Sequence, residues 1–154
     1  MNPVELERRL QRIERQLDEL ASAGRPRVQS GTWTPDMYGA TTYGVTTYVM
    51  RSGTYVVINR VCVIWGVVWW TATTATGALC VTVPFTCDST LFFPPAPIRH
   101  SMFAYAANAT LYAEIVQGAA YLRIIQETND GLGVLINVPP AGYLSFTGIY
   151  LIAP

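Results

Sequence analysis

Lysine is absent from this chain. All ten cations are arginine, ten acids balance them, and the formal net charge is zero. With no basic surplus and no basic patch there is no electrostatic footprint for a polyanion, so nucleic acid is not an expected partner. Histidine occurs once, as His100, and cysteine three times, as Cys62, Cys80 and Cys87. The three thiols lack zinc-ligand spacing. Cys62 and Cys80 read as small apolar fillers on strands, with a disulfide or reactive thiol as the alternative. Phosphate-binding, zinc and calcium motifs are all missing, so no cofactor or metal is expected. The longest apolar run, Val61 to Trp70, is about half the ~20 residues of a membrane-spanning helix. The amphipathic, charged N-terminal segment is not a secretory signal.

Catalytic constellations are equally scarce. A Ser101–His100–Asp88 triad can be drawn on paper, but no nucleophile elbow or glycine-rich oxyanion segment accompanies it. A glycosidase needs two carboxylates flanking a cleft. The acids beyond residue 31 are Asp36, Asp88, Glu114, Glu127 and Asp130, and they show no pairing motif. No catalytic residue is assigned.

Charge is scarce as well, at 13% of residues, and unevenly placed. Nine charges crowd into Met1–Ala23, and another nine are spread from Thr32 to the end. A body so poor in charge and rich in Val, Thr, Tyr and Gly is a solubility liability as a monomer. Burial between subunits removes the liability.

What is present begins with a heptad. Leu6, Leu10, Ile13, Leu17 and Leu20 are spaced four, three, four, three, placing Leu10 and Leu17 at a and the others at d. So narrow a seam cannot cover itself against a globular core and needs copies of itself. Arg9 at g and Glu14 at the following e can pair across a parallel seam. Leu at a with Ile at d favours three or four strands over two. Arg9-Leu10-Gln11-Arg12-Ile13-Glu14 also resembles the R-h-x-x-h-E signature of short trimeric coiled coils, where h is apolar. A parallel trimer is therefore predicted. Asn2 can cap the helix, Pro3 suits its first position, and Ala23-Gly24-Arg25-Pro26 is a stop signal. Residues 1–23 read as the stalk, 24–31 as a linker and 32–154 as a β head. A coil under three heptads is marginal alone, so the head must help hold the trimer.

From Thr32 the helical period disappears. Candidate strands are Gly44–Arg51, Thr54–Ile58, Val61–Thr71, Ala78–Val83, Met102–Ala107, Leu111–Val116, Ala120–Gln126, Gly133–Asn137 and Tyr143–Ile152. Ser52-Gly53, Asn59-Arg60, Thr76-Gly77, Asn108-Ala109 and Asn129-Asp130-Gly131 punctuate them. Short strands at this spacing argue a mainly β protein with a β-sandwich or jelly-roll-like head. Val61 to Trp70 is apolar on both faces, so one face meets the opposite sheet and the other needs a further cover. A neighbouring subunit is the simplest cover, and a closed sandwich is the alternative.

Gly31-Thr32-Trp33-Thr34-Pro35, then Arg51-Ser52-Gly53-Thr54-Tyr55 leading to Asn59-Arg60-Val61, then Thr76-Gly77 with Val83-Pro84-Phe85, form an ordered set. Ser145-Phe146-Thr147-Gly148-Ile149-Tyr150 closes it. The set resembles a recurrent bacteriophage fibre domain, with GTWTP, a G-x-Y-x-x-x-G-x-x-V hairpin, an LPF element and a closing s-G-x-Y strand. Asn59 stands where the hairpin has its second Gly, a position Asn tolerates because it visits left-handed backbone. The resemblance implies a homotrimeric β domain on virion fibres or capsid projections, generally without enzymatic activity.

Three functions follow as expectations. The first is a fibre or spike on the virion surface that binds a host surface component, a glycan foremost. The second is a capsid decoration or head fibre standing on its stalk at a three-fold or quasi-three-fold site, since only Met1–Pro3 precede the coil. The weakest is a polysaccharide depolymerase. The expected partners are two further copies of the chain, a virion protein at the stalk, and host glycan. Flat rings beside hydrogen-bonding groups are the currency of sugar recognition, which singles out Tyr38, Tyr43, Asn108, Asn129 and Asp130. Trp33, Trp65, Trp69 and Trp70 read as core or subunit interface.

Overall fold

A computed structural model describes residues 3–23, 26–90, 95–128, 131 and 133–154. Its helix, α1 (Pro3–Ala23), begins on a proline whose missing N–H costs nothing at that position and carries Glu5 in the first turn, where the helix dipole favours an anion. Leu10, Ile13 and Leu17 are 52%, 52% and 59% exposed, so the heptad seam is uncovered in the single chain. The Leu6 and Leu20 side chains lie outside the described residues. Arg9 has its Nε 3.6 Å from Glu5 on the same helix, and Glu14 is exposed.

Ten strands follow among the described residues: β1 (Val28–Trp33), β2 (Met37–Gly39), β3 (Thr46–Ile58), β4 (Val61–Thr73), β5 (Leu79–Thr82), β6 (Ile98–Ser101), β7 (Thr110–Ile115), β8 (Tyr121–Glu127), β9 (Gly133–Leu135) and β10 (Gly142–Leu151). They form two sheets. The first has order β1-β3-β4-β10-β6, and the second has order β2-β5-β8-β7, with β9 on the remaining half of β8. Every pairing is antiparallel. The inner faces meet in one core. Cys62, Ile64, Val68 and Trp70 of β4 and Leu144, Phe146 and Tyr150 of β10 come from the first sheet. Leu79, Val81, Ala113, Ile115, Leu122 and Ile124 come from the second. The head is a β-sandwich, as its alternating patterns require.

The β3–β4 hairpin turns at Asn59, whose φ of 58° is left-handed. Its Oδ1 also accepts the Arg27 amide at 3.0 Å. That much matches the sequence reading. Other elements depart from it. Ser52-Gly53 is no break, because β3 runs straight through it. Strands β1 and β2 were not among the candidates, and β1 starts at Val28, inside the segment read as linker. Residues 28–31 are extended only because Val28 pairs with Ile58 and Gly31 with Tyr55. Met102–Ala107 is irregular, and a strand forms just before it instead, with Met102 at φ 66° after its end. Of the predicted Asn129-Asp130-Gly131 turn, Gly131 alone is described, with φ 73°.

One device recurs across the first sheet. Gly31 pairs directly with Tyr55, Gly53 with Trp33, Gly66 with Phe146 and Gly142 with Trp70. At each glycine a Cβ would run into the partner's ring. The aromatic side chain thus lies across bare backbone, which fills space a residue with a side chain would deny it. The segments carrying the fibre-domain resemblance also converge. Trp33 donates its Nε1–H to the Thr82 carbonyl at 3.2 Å and lies 6.5 Å from the Phe146 ring. Phe85 meets Tyr55 edge-on at 4.9 Å, and its amide donates to the Tyr150 hydroxyl at 3.3 Å. These residues hold the sandwich together.

Candidate functional site

Two surfaces stand out, on opposite sides of the sandwich. The first is the outer face of the first sheet. Strand β4 turns alternate sides, with Cys62, Ile64, Val68 and Trp70 buried while Val61, Trp65 and Trp69 are exposed. Trp65 and Trp69 are 45% and 41% exposed, and Met50, Ile58 and Ile149 add apolar surface around them. A shallow groove of about 590 Å³ runs over this face, lined by Met50, Trp65, Val67 and Pro97 with Ser52, Thr54, Ser145 and Thr147 among its polar members. The sandwich covers one face of the doubly apolar strand and leaves the other open. Of the four tryptophans, Trp70 is fully buried and Trp33 packs against the core, while Trp65 and Trp69 face outward.

The second surface is built on β2, at the edge of the other sheet. Met37 and Gly39 are buried, so Tyr38 between them points outward. It opens a cross-strand row that continues through Cys80, Arg123 and Glu114. The Tyr43 ring stacks on Tyr38 at 4.8 Å and 7° between planes, and Tyr121 meets Tyr38 edge-on at 6.0 Å. Tyr43 is 57% exposed. Beside the stack, Asp36 pairs with Arg51, and the Tyr48 hydroxyl lies 3.2 Å from Asp36 Oδ1. The Arg51 guanidinium sits 4.4 Å from the Tyr48 ring centroid.

The loop that carries Tyr43 is tied down. Thr42 and Thr76 share a hydroxyl–hydroxyl hydrogen bond of 2.8 Å, the Val45 amide donates to Thr74 Oγ1 at 2.9 Å, and the Thr74 amide returns to the Val45 carbonyl at 3.0 Å. Gly44 follows Tyr43 at φ 70° with its Cα against the Ala75 backbone, a conformation and a closeness that only glycine meets without strain. Burial pushes the Tyr38 phenol well above its ordinary pKa, with Cys80 and Tyr121 adding to it. Burial also raises Tyr43, with Asp36 adding and Arg51 opposing. Both hydroxyls stay protonated at neutral pH and remain donors.

The structure therefore brings Tyr38 and Tyr43 together. Asn108 is exposed at a turn before β7, the opposite edge strand of that sheet, and does not join them. Asn129 and Asp130 lie outside the described residues. Tyr121, Tyr48 and Arg51 were missed as site residues because only long-range pairing carries them there. No Ser101–His100–Asp88 arrangement forms. His100 stacks on Phe103 at 5.3 Å and meets Tyr105 at 5.2 Å, while Asp88 is held by Arg60 and by the Thr90 hydroxyl and amide. Asp36, Asp88 and Glu114 are each tied to an arginine. All three cysteines are free and buried, and no group of metal ligands occurs among the described residues.

No protein-family model matches the chain, and no curated protein matches it in sequence. Among solved structures the fold is similar to that in the crystal structure of the Dettilon tailspike protein (gp208), with a TM-score of 0.63 and 11% identity. The match covers 80% of this chain and 23% of the tailspike chain. At that identity the likeness is one of fold.

Proposed function

We propose that this chain is a structural protein of a bacteriophage particle, a homotrimeric fibre or spike whose β head faces host-surface glycan. In this reading α1 is a parallel coiled-coil stalk that meets another virion protein. The carrying observation is the tailspike-like sandwich, and the fibre-domain motifs at Gly31–Pro35, Gly53–Tyr55, Val83–Phe85 and Ser145–Tyr150 support it from the sequence. The uncovered leucine seam and the uncovered apolar sheet face both support a self-associating chain. A surface patch of this kind marks an interaction site.

Immunogold labelling of intact particles tests the location. Gold on tail projections is the expected result. Gold confined to the shell would transfer the assignment to a capsid decoration, and unlabelled particles would end it. The coil is tested separately by Leu10→Ser with Ile13→Ser. Removing two seam residues should cost on the order of 4 kcal/mol per helix and lower the assembled mass in light scattering at micromolar concentration. An unchanged mass would assign assembly to the head alone.

A further inference from the structure

We propose that the Tyr38–Tyr43 stack, with Asp36 and Arg51 beside it, is a binding platform for neutral hexopyranose units. The inference rests on the glycan-facing reading above and names the site and the sugar class. A pyranose presents a patch of axial C–H groups on one face and hydroxyls around its rim. It is recognised by a flat ring under that patch and by donors and acceptors at its edge. Tyr43 supplies the ring. One of its faces is taken by Tyr38 at 4.8 Å, and the residue as a whole is 57% exposed.

Rigidity separates this ring from an ordinary surface tyrosine. The flanking threonine hydrogen bonds and Gly44 fix the backbone, while the ring is held by its stack on Tyr38, which the edge of Tyr121 braces in turn. A sugar would therefore meet a preformed surface, with little ordering entropy lost on binding. The rim chemistry is adjacent. Asp36 and Arg51 side chains are 40% and 37% exposed, so their polar atoms reach solvent next to the stack. A carboxylate and a guanidinium side by side suit neighbouring hydroxyls, one accepting and the other donating.

Charge selects the sugar class. The ion pairs at this surface, Asp36–Arg51 and Glu114–Arg123, are each internally neutral, so among the described residues no unpaired cation stands beside the stack for a uronic or sialic acid. Placement agrees. Tyr38 points away from the sandwich on the second sheet, whereas Trp65 and Trp69 point away on the first. A trimer closed through the tryptophan face leaves the tyrosine platform on the outside.

Saturation-transfer NMR on the full chain tests this, with methyl glycosides of glucose, galactose, mannose and N-acetylglucosamine at millimolar concentration. At least one should receive saturation on its axial ring protons. Tyr43→Ala should weaken that transfer roughly tenfold, the worth of one stacked ring, and Tyr43→Phe should keep most of it. Circular dichroism confirms that both variants remain folded. Silence across the panel, equal transfer in Tyr43→Ala, or transfer only from added glucuronic or sialic acid would each overturn the proposal. Particle labelling with no saturation transfer would defeat the platform and spare the virion assignment. Unlabelled particles with Tyr43-dependent transfer would do the reverse.

Discussion

Gly66→Val should be the most damaging conservative change in the head, costing about 3 kcal/mol and lowering the melting temperature by roughly 10 °C. Gly66 lies in β4, between β3 and β10, opposite Gly53 on one side and Phe146 on the other. A Cβ there would press into the Phe146 ring, and the ring has nowhere to go. It is 3% exposed, and the Trp33 ring lies beside it. The sheet must either spread or expel the phenyl group, and both open the core. Thermal and urea denaturation measure the loss. A double-mutant cycle identifies the cause: with Phe146→Ala already present, Gly66→Val should cost much less than it does alone. Additive costs would mean that backbone entropy, and not the ring, makes glycine necessary.

The second large effect concerns assembly. If the chain assembles as proposed, Trp65→Ser with Trp69→Ser should release folded monomers, with the mass falling from a multiple of 17.0 kDa to 17.0 kDa itself. Both side chains already face solvent in the isolated chain, so the sandwich loses no core packing when they are shortened. An assembled interface has much more to lose. Buried tryptophans commonly contribute about 2 kcal/mol or more apiece at subunit contacts, so the pair is worth roughly a thousandfold in association. Light scattering gives the mass, and circular dichroism shows whether the head stays folded. A variant that keeps its full mass would place the interface elsewhere. Combining these changes with Leu10→Ser and Ile13→Ser then separates stalk from head, because independent interfaces lose free energy additively.

The two readings depend on different kinds of sequence information. The heptad of Leu10, Ile13 and Leu17 is a local period, and α1 follows it as expected. The hairpin at Asn59 is equally local, since two residues and their tolerance for left-handed backbone decide it. The alternation of β4 was legible as apolar on both faces. The side facing the core was not, and it is set by the register of β4 against Phe146 and Val57. Ser52-Gly53 looked like a turn because serine and glycine usually make one. Here the glycine serves Trp33, twenty positions earlier in the numbering, and the strand continues. The candidate site shows the same division. Tyr38 and Tyr43 were visible as rings in a polar stretch. Their stacking, the edge of Tyr121 and the Asp36–Arg51 pair were not.

Composition and short-range pattern by themselves determined that this protein is mainly β, carries an amphipathic N-terminal helix with a heptad seam, and has more apolar surface than its charge can balance. Those properties depend on residues within a turn or two of one another, where side-chain period and backbone preference act directly. The tertiary structure decided which tryptophans are core and which are surface, which glycines lie beneath rings, and which tyrosines share a platform. Each of these depends on strand register, and register is a property of two distant segments at once. A shift of one residue in β4 would exchange Trp65 and Trp69 for Ile64, Val68 and Trp70 on the outer face.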